Sequence, residues 1–433
     1  MNERKRVSLA IVGFAAVAVA FVIMGLYGFG RMGGEAYASN LDVASSQLEV
    51  ATPESVGLDS RRLAMVDSVV EEYLNEGAFP GAVVGVVRNG KIVYRKSFGY
   101  RQVVGDRVAM TLDTRFDLAS LTKPVAVATS VMQLVERGKI TLGDRVDKYI
   151  PGFRGWAEPK EDGAKPTKSD TVHIRIADLL THTSGLPPYA SPKSIMAANP
   201  DAELPSADDV IAHIAKCDRW AVARTKRIYS CLNYITLARI VEVVTGQRID
   251  AYAQTNIFEP LKMSNTCYTP SADYAKECAP TEKIKDGDCY CGVVHDPLAR
   301  EGMGMVSGNA GLFSTLDDLS VYAAMLLNGG SWNGAEILSK RATEAIMSRP
   351  LGYEQFDRTI GWENFAACSQ TGGDLFSPRT IGHTGATGTS IVIDPEQNIA
   401  VIVLTNYVHS TSKRTLLDFR SKISTVVAAS IRW

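Results

Sequence analysis

From residue 7 to residue 30 the chain carries no charged side chain, and most positions there are apolar. A run of 24 such residues is long enough to cross a bilayer as a helix. Arg4, Lys5 and Arg6 precede it, so the positive-inside rule keeps the N-terminus cytoplasmic and sends the rest of the chain across. The length favours an uncleaved anchor within residues 1–38, and "AYAS" at 36–39 offers a cut after Ala38 as the alternative. Residues 39–50 read as a polar linker. From Ala51 the periodicity changes. "RLAMVDSVVEEYLNEG" (62–77) repeats apolar positions at helical spacing and stops at Gly77. "PGAVVGVVRNGKIVYRKSFGY" (80–100) holds two β-branched runs joined by Asn89-Gly90, the signal of a type I′ hairpin. Helices are predicted over 124–138, 234–246, 317–330 and 415–431, with a shorter one over 174–186 that breaks at Gly185. Residues 154–170 read as a surface loop, and 389–407 as a second hairpin around a DPEQN turn.

Hairpins at both ends with helices between predict an α+β fold. One antiparallel sheet is built from N- and C-terminal strands flanked by helices. A mainly helical region, at about residues 120–300, is inserted into a single domain over 51–433.

Composition narrows the function by exclusion. The 433 residues carry a formal net charge of −1, and no long run of Lys and Arg occurs, so no nucleic-acid partner is expected. Seven cysteines are present: 217, 231, 267, 278, 289, 291 and 368. An odd number leaves at least one thiol over or pairing between chains in an oxidising compartment. Cys278, Cys289, Cys291 and His295 lie close in sequence but lack the C-x-x-C spacing of zinc sites, so thiols or disulfides are expected and no metal. No cofactor is expected.

The candidate chemistry sits in "DLASLTKP" (117–124), where Ser120 and Lys123 stand three apart at the start of a helical pattern. Residues at that spacing share a helix face. A serine hydroxyl is a poor nucleophile until something takes its proton. A lysine can do so only as the neutral amine, so burial and the helix dipole are expected to lower the pKa of Lys123. The motif alone is weak, since about two chance hits are expected in a chain this long. Two later stretches add to it. "RIYSCLNYITLARIVEVVTG" puts Tyr229 before a helix, and "IGHTGATGTSIVIDPE" puts His383, Thr384 and Gly385 at the head of a strand.

Ser-x-x-Lys, Tyr-Ser-x and His-Thr-Gly in that order resemble the serine β-lactamase and penicillin-binding protein superfamily. The resemblance is to its class C β-lactamase-like branch, which includes D-alanyl-D-alanine carboxypeptidases and esterases. "TPESVGLDSRRL", "FPGAVVGVVRNGKIVY", "LLTHTSGL" and "GNAGLFSTLDDL" extend it over roughly residues 51 to 430. It implies a β-lactamase/transpeptidase-like fold and an acyl-enzyme on Ser120. Lys123 would be base or proton relay, and Tyr229 would carry the proton to the leaving group. The oxyanion hole would come from the backbone N–H groups of Ser120 and Ala386. Thr384 would donate to the substrate, Gly385 would let the strand edge approach it, and a neutral His383 would attract a substrate carboxylate less than lysine does. One position departs from the pattern. The second motif usually ends in Asn or Asp, and here it reads Tyr229-Ser230-Cys231; a thiol is a weak donor and acceptor, which argues against efficient β-lactam hydrolysis. Cys231 is therefore placed with Thr384 and Gly385 as substrate-binding.

Among other residues, His182 is expected to cap a helix end, and His295 to be either structural or cleft-lining. Asn309 stands where a histidine was expected, and His173, His213 and His409 join no constellation. The leading expectation is a serine hydrolase acting on a small-molecule or peptide acyl substrate, plausibly a cell-wall peptide. It would be anchored in the inner membrane through residues 7–30 with its catalytic domain in the periplasm or at the cell surface, or secreted if cut after Ala38. The alternative is a non-catalytic anchored sensor of a cell-wall ligand or β-lactam.

Overall fold

The computed structural model describes residues 48–432 apart from 154, 158–170, 198–202, 285–286, 365–370 and 411–415. The predicted span at 7–30, the Ala38 cleavage point, Cys368 and most of the 39–50 and 154–170 segments lie outside the described residues. Among those described, no helix is long and apolar enough to cross a membrane.

The strands, in chain order, are β1 (Gly81–Arg88), β2 (Lys91–Gln102), β3 (Val108–Ala109), β4 (Phe116–Asp117), β5 (Cys267–Tyr268), β6 (Leu312–Ser314), β7 (Ser331–Trp332), β8 (Ala335–Glu336), β9 (Glu363–Asn364), β10 (Ile381–Thr384), β11 (Ser390–Asp394) and β12 (Ile399–Thr405). The main sheet runs β3-β2-β1-β12-β11-β10-β9, a smaller one runs β4-β6-β5, and β7 pairs β8. The two ends of the chain meet where β1 pairs antiparallel with β12, from Ala82 opposite Thr405 to Arg88 opposite Ile399. Asn89 and Gly90, at φ 52° and 71°, make the I′ turn that the Asn-Gly pair predicts.

Side chains on β1 and β12 alternate between two cores, as a period of two requires. Val83, Val87, Ala400, Ile402 and Leu404 join the core shared with the inserted helices. Val84, Val86, Ile399, Val401 and Val403 face the other core, with Val66, Val70 and Tyr73 of the helix Met65–Asn75 and Phe419, Ile423 and Val427 of the helix Leu417–Ala429. Covered on both faces, β1 is buried at every position. This explains a continuous apolar run where a one-faced strand would alternate.

Two of the predicted helices change in the structure. The 62–77 segment divides into Ser60–Leu63, capped by Asp59, and Met65–Asn75. The 174–186 segment is helical only over Ile176–Leu180, because His182 turns out of it at φ 58°. A further helix, Ala207–Lys216, follows a Ser206–Asp209 capping box that was not predicted.

A buried ion pair ties the sheet to the helix Leu316–Leu327. Arg95 on β2, fully buried, donates through Nε and Nη2 to the two carboxylate oxygens of Asp317 at 2.7 and 2.6 Å. Asp317 opens the helix Leu316–Leu327, which lies over β1 at Gly85, where an added Cβ would meet Leu316 Cδ1 at 2.6 Å. Asp317→Ala leaves a buried guanidinium without its carboxylate, and a loss of about 3–5 kcal/mol is expected from urea unfolding. A loss under about 1 kcal/mol would contradict this role.

Candidate active site

Strand β4 delivers the serine. It pairs with β6, placing Asp117 opposite Phe313. The Asp117 carboxylate accepts the backbone N–H of Ala119 at 2.8 Å and of His295 at 2.7 Å, and Ala119 adopts φ 45°. Ser120 follows in a single 3₁₀ turn, Ala119–Leu121. The predicted helix then begins as a wider π turn, Lys123–Ala128, before becoming α-helical over Thr129–Glu136. The Pro124 carbonyl is taken there by the Thr129 and Tyr322 hydroxyls at 3.1 and 3.2 Å.

Lys123 is fully buried. Its ammonium donates to Ser120 Oγ at 2.9 Å and to the Asn309 carbonyl at 2.8 Å. It also lies 5.1 Å from the centre of the Tyr229 ring. Burial opposes the charge, but Cys231, then Tyr229 and Asp296, favour it, and the net effect holds Lys123 above its ordinary pKa. This corrects the expectation of a lowered pKa. Geometry brings the nitrogen to Ser120, and the raised direction, carried by Cys231 and Tyr229, favours the ammonium over the neutral amine.

Tyr229 lies immediately before Ser230, the N-cap of the helix Cys231–Thr245. His182 stacks against its ring with centroids 4.4 Å apart, and the buried Arg358 guanidinium lies 5.4 Å from the ring centre. Arg358 pairs through Nη2 with Glu363, while its Nε and Nη1 have no partner among the described residues. Cys231 stands in the first turn of the helix, half-buried, its backbone N–H bonded to Pro188. Neither it nor Lys123 lines the main cavity.

The third motif forms the end of β10. Strand β9 pairs with Ile381 and Gly382, so that pairing stops one residue short of His383. His383 Nδ1 must donate to the Thr384 carbonyl, 2.9 Å away, which leaves Nε2 as a lone-pair acceptor without a partner among the described residues. Burial, then the charges of Arg358 and Lys123, push His383 well below the ordinary imidazole value, so it is neutral. After it, the loop carrying Ala386 is bolted to the serine's strand. Thr387 Oγ1 donates to Asp117 O at 2.6 Å and Thr389 Oγ1 to Leu118 O at 3.0 Å. Gly385 is needed for this closeness, since an added Cβ would sit 2.1 Å from Thr389 Oγ1 and 2.4 Å from Leu118 O. Arg420 Nη2, from the last helix, donates to Gly385 O and Thr389 O at 3.3 and 3.0 Å. Burial pushes Arg420 down to about 10, which leaves it charged at neutral pH. Neither the Ser120 nor the Ala386 backbone N–H donates a hydrogen bond among the described residues.

These parts enclose a cavity of about 490 Å³ lined by Ser120, Tyr229, His383, Thr384, Gly385 and Ala386, with Glu363, Tyr407, Leu416, Leu417 and Arg420 completing the wall. The predicted residues other than Lys123 and Cys231 thus share one opening, and Lys123 lies directly beneath it. His182, Asn309, Arg358 and Arg420 join the site without having been assigned to it. Asn309 acts through its carbonyl, which no side-chain pattern reveals. His295 pairs with Glu282 and holds Asp117 through its backbone instead of lining the cavity. The six described cysteines are thiols, and among the described residues no group of three or more His, Cys, Asp or Glu could hold a metal.

A family model described as Beta-lactamase matches residues 66–423. A protein of Salmonella gallinarum (strain 287/91 / NCTC 13346), provisionally named D-alanyl-D-alanine carboxypeptidase, is 32% identical over 386 residues, covering 84% of this chain and 87% of that protein. The fold is shared with EstCE1, a hydrolase with promiscuous acyltransferase activity, at a TM-score of 0.67 and 22% identity over 85% of this chain and 99% of that one. It is also shared with a class C beta-lactamase at a TM-score of 0.65 and 20% identity over 86% and 97%.

Asp117 makes the serine turn sensitive to pH. Burial raises its pKa to about 6, against the lowering effect of the two N–H groups it accepts. A raised carboxyl binds its proton more readily folded than unfolded, so acidification from pH 7 to pH 5 adds stability from this group. Compared with Asp117→Asn, the wild type is expected to gain about 1 kcal/mol over that range in urea unfolding. Equal pH slopes in the two proteins would contradict the assignment.

Proposed function

The chain belongs to the beta-lactamase family and is a serine hydrolase of that type, and from that premise we propose that it cleaves amide or ester bonds through an acyl-enzyme on Ser120, with cell-wall peptides as the substrate class. The observation that carries this reading is the buried Lys123 amine, 2.9 Å from Ser120 Oγ and 5.1 Å from the centre of the Tyr229 ring. Because the ammonium donates to the serine oxygen, the hydroxyl's own hydrogen points elsewhere. For Tyr229 to receive that proton as Oγ attacks the substrate carbonyl, its oxygen enters the step as the phenolate beside the ammonium and leaves it as the neutral phenol. The positive charge stabilises the oxygen anion that develops. When the carbon–nitrogen or carbon–oxygen bond breaks, Tyr229 returns the proton to the leaving group, and a water later repeats the sequence to release the acid. Lys123 acts as a fixed charge, not as a neutral base. The free N–H groups of Ser120 and Ala386 hold the carbonyl oxygen. Beyond Gly382 the edge of β10 is open to an extended acyl donor, which adds like a strand.

A neutral His383 offers a substrate carboxylate little attraction, but Arg420 in the cavity wall and Arg358 behind Tyr229 supply positive charge instead. Cys231 brings a thiol near Lys123 where an amide would bond a substrate amide strongly, which favours acyl donors that need no such bond. The cell-wall assignment draws support from the name of the 32%-identical relative and from the expected extracytoplasmic location behind the anchor at 7–30. Family membership sets hydrolysis ahead of the sensor reading.

Intact-protein mass spectrometry with a fluorophosphonate tests the nucleophile. One adduct on Ser120 is expected, absent in Ser120→Ala, and Lys123→Ala should slow its formation by about 10³-fold. Labelling that persists in Ser120→Ala, or that maps to Cys231, would overturn the assignment. Release of D-alanine from diacetyl-Lys-D-Ala-D-Ala, lost in Ser120→Ala, tests the substrate class separately.

A further inference from the structure

Tyr229 is gripped by a residue outside all three motifs. The His182 carbonyl accepts the backbone N–H of Ile228 at 2.8 Å, and His182 Nδ1 accepts that of Ser230 at 3.0 Å. The residues before and after Tyr229 are thus pinned by one histidine, whose ring also lies against the phenol at 4.4 Å and 30°. A backbone N–H can only donate, so Nδ1 carries no proton and the neutral ring holds its hydrogen on Nε2. That tautomer is reinforced along a directional chain. Ser184 Oγ accepts from Leu186 N at 3.1 Å and donates to Asn233 Oδ1 at 2.6 Å, which leaves Asn233 Nδ2 to donate to His182 Nδ1 at 3.1 Å. The remaining sides of the Tyr229 ring face Lys123, Arg358 and His383.

We infer that His182 is a positioning residue that sets the Tyr229 oxygen on the line between Ser120 and the leaving group. The inference rests on the proton-relay reading of Tyr229 given above. Position 182 makes three demands: a backbone at φ 58°, an acceptor one bond beyond Cγ, and a flat face for the phenol. Histidine meets all three. Asparagine tolerates the left-handed conformation and puts an amide oxygen where Nδ1 stands, but has no ring. Glutamine carries its oxygen past Ser230 N, and leucine meets none of the three. The Nε2–H has no partner among the described residues, so the bonds of the ring lie on the Nδ1 side.

A displaced relay harms most those reactions whose leaving group needs a proton. Substituted phenyl butyrates, from the acidic p-nitrophenol to the weakly acidic p-methoxyphenol, separate this from general loss of structure. In His182→Leu, kcat is expected to fall under about tenfold for the p-nitrophenyl ester and about 10²-fold for the p-methoxyphenyl ester, with KM nearly unchanged. Tyr229→Phe should show the same leaving-group trend, and His182→Asn should return to within about tenfold of wild type on both esters. His182→Asn against His182→Gln, both polar, keeps the comparison valid if the leucine variant does not fold, with glutamine expected to show the trend and asparagine not. An equal fall on both esters, or no fall, while Tyr229→Phe keeps its trend, overturns the role of His182 alone. A Tyr229→Phe variant without the trend overturns the relay reading and the inference with it.

Discussion

The site is organised around a positive charge kept out of water. Lys123 is buried, and an isolated ammonium there would shed its proton or pull the structure open. It does neither because groups from three parts of the chain meet it: the Ser120 hydroxyl after β4 and the Asn309 carbonyl before β6 accept from it, and the Tyr229 ring before the helix Cys231–Thr245 lies 5.1 Å away. The charge therefore does structural and chemical work together. It gathers three distant segments, and it fixes which oxygens face the cavity and with what hydrogens.

Around this centre a second set of bonds fixes the acceptors themselves. Asp117 holds the strained Ala119 turn beneath the serine. Thr387 and Thr389 fasten the Ala386 loop to the same strand, so two unbonded N–H groups keep a set separation. His182 grips the tyrosine segment. These are short polar bonds among buried groups, where each is stronger than in water and each unmade one is costly. The scaffold that allows them is the sheet joined at β1 and β12, clamped to the helix Leu316–Leu327 by Arg95 and Asp317.

Local chemistry was legible in the sequence, and long-range chemistry was not. The Asn89-Gly90 turn, the two hairpins, the apolar helices and the ordered Ser120, Tyr229 and His383 stretches follow from short-range rules and from resemblance to known motifs. The Lys123 charge state did not follow, because its decisive partners, Cys231, Tyr229 and the Asn309 carbonyl, lie about a hundred residues or more away. Asn309 acts through its backbone carbonyl, which no side-chain pattern reveals. His182 was read as a helix cap, and it does leave the helix Ile176–Leu180, but its bonds to the Tyr229 segment become visible only once the chain has folded. Arg358 and Arg420 carried no motif at all. The Ser206–Asp209 capping box is a short-range signal of the helix Ala207–Lys216.

The central claim concerns one proton, and it can be observed directly. Protein carrying ¹³C at lysine Cε, with the Lys123 resonance assigned by its loss in Lys123→Arg, reports the ionisation of that amine by NMR across pH. The account predicts a Lys123 signal that remains that of an ammonium at neutral pH and titrates above the ordinary lysine value of about 10.4. A signal already that of the neutral amine at pH 7 would contradict it and would return the proton-accepting role to the lysine.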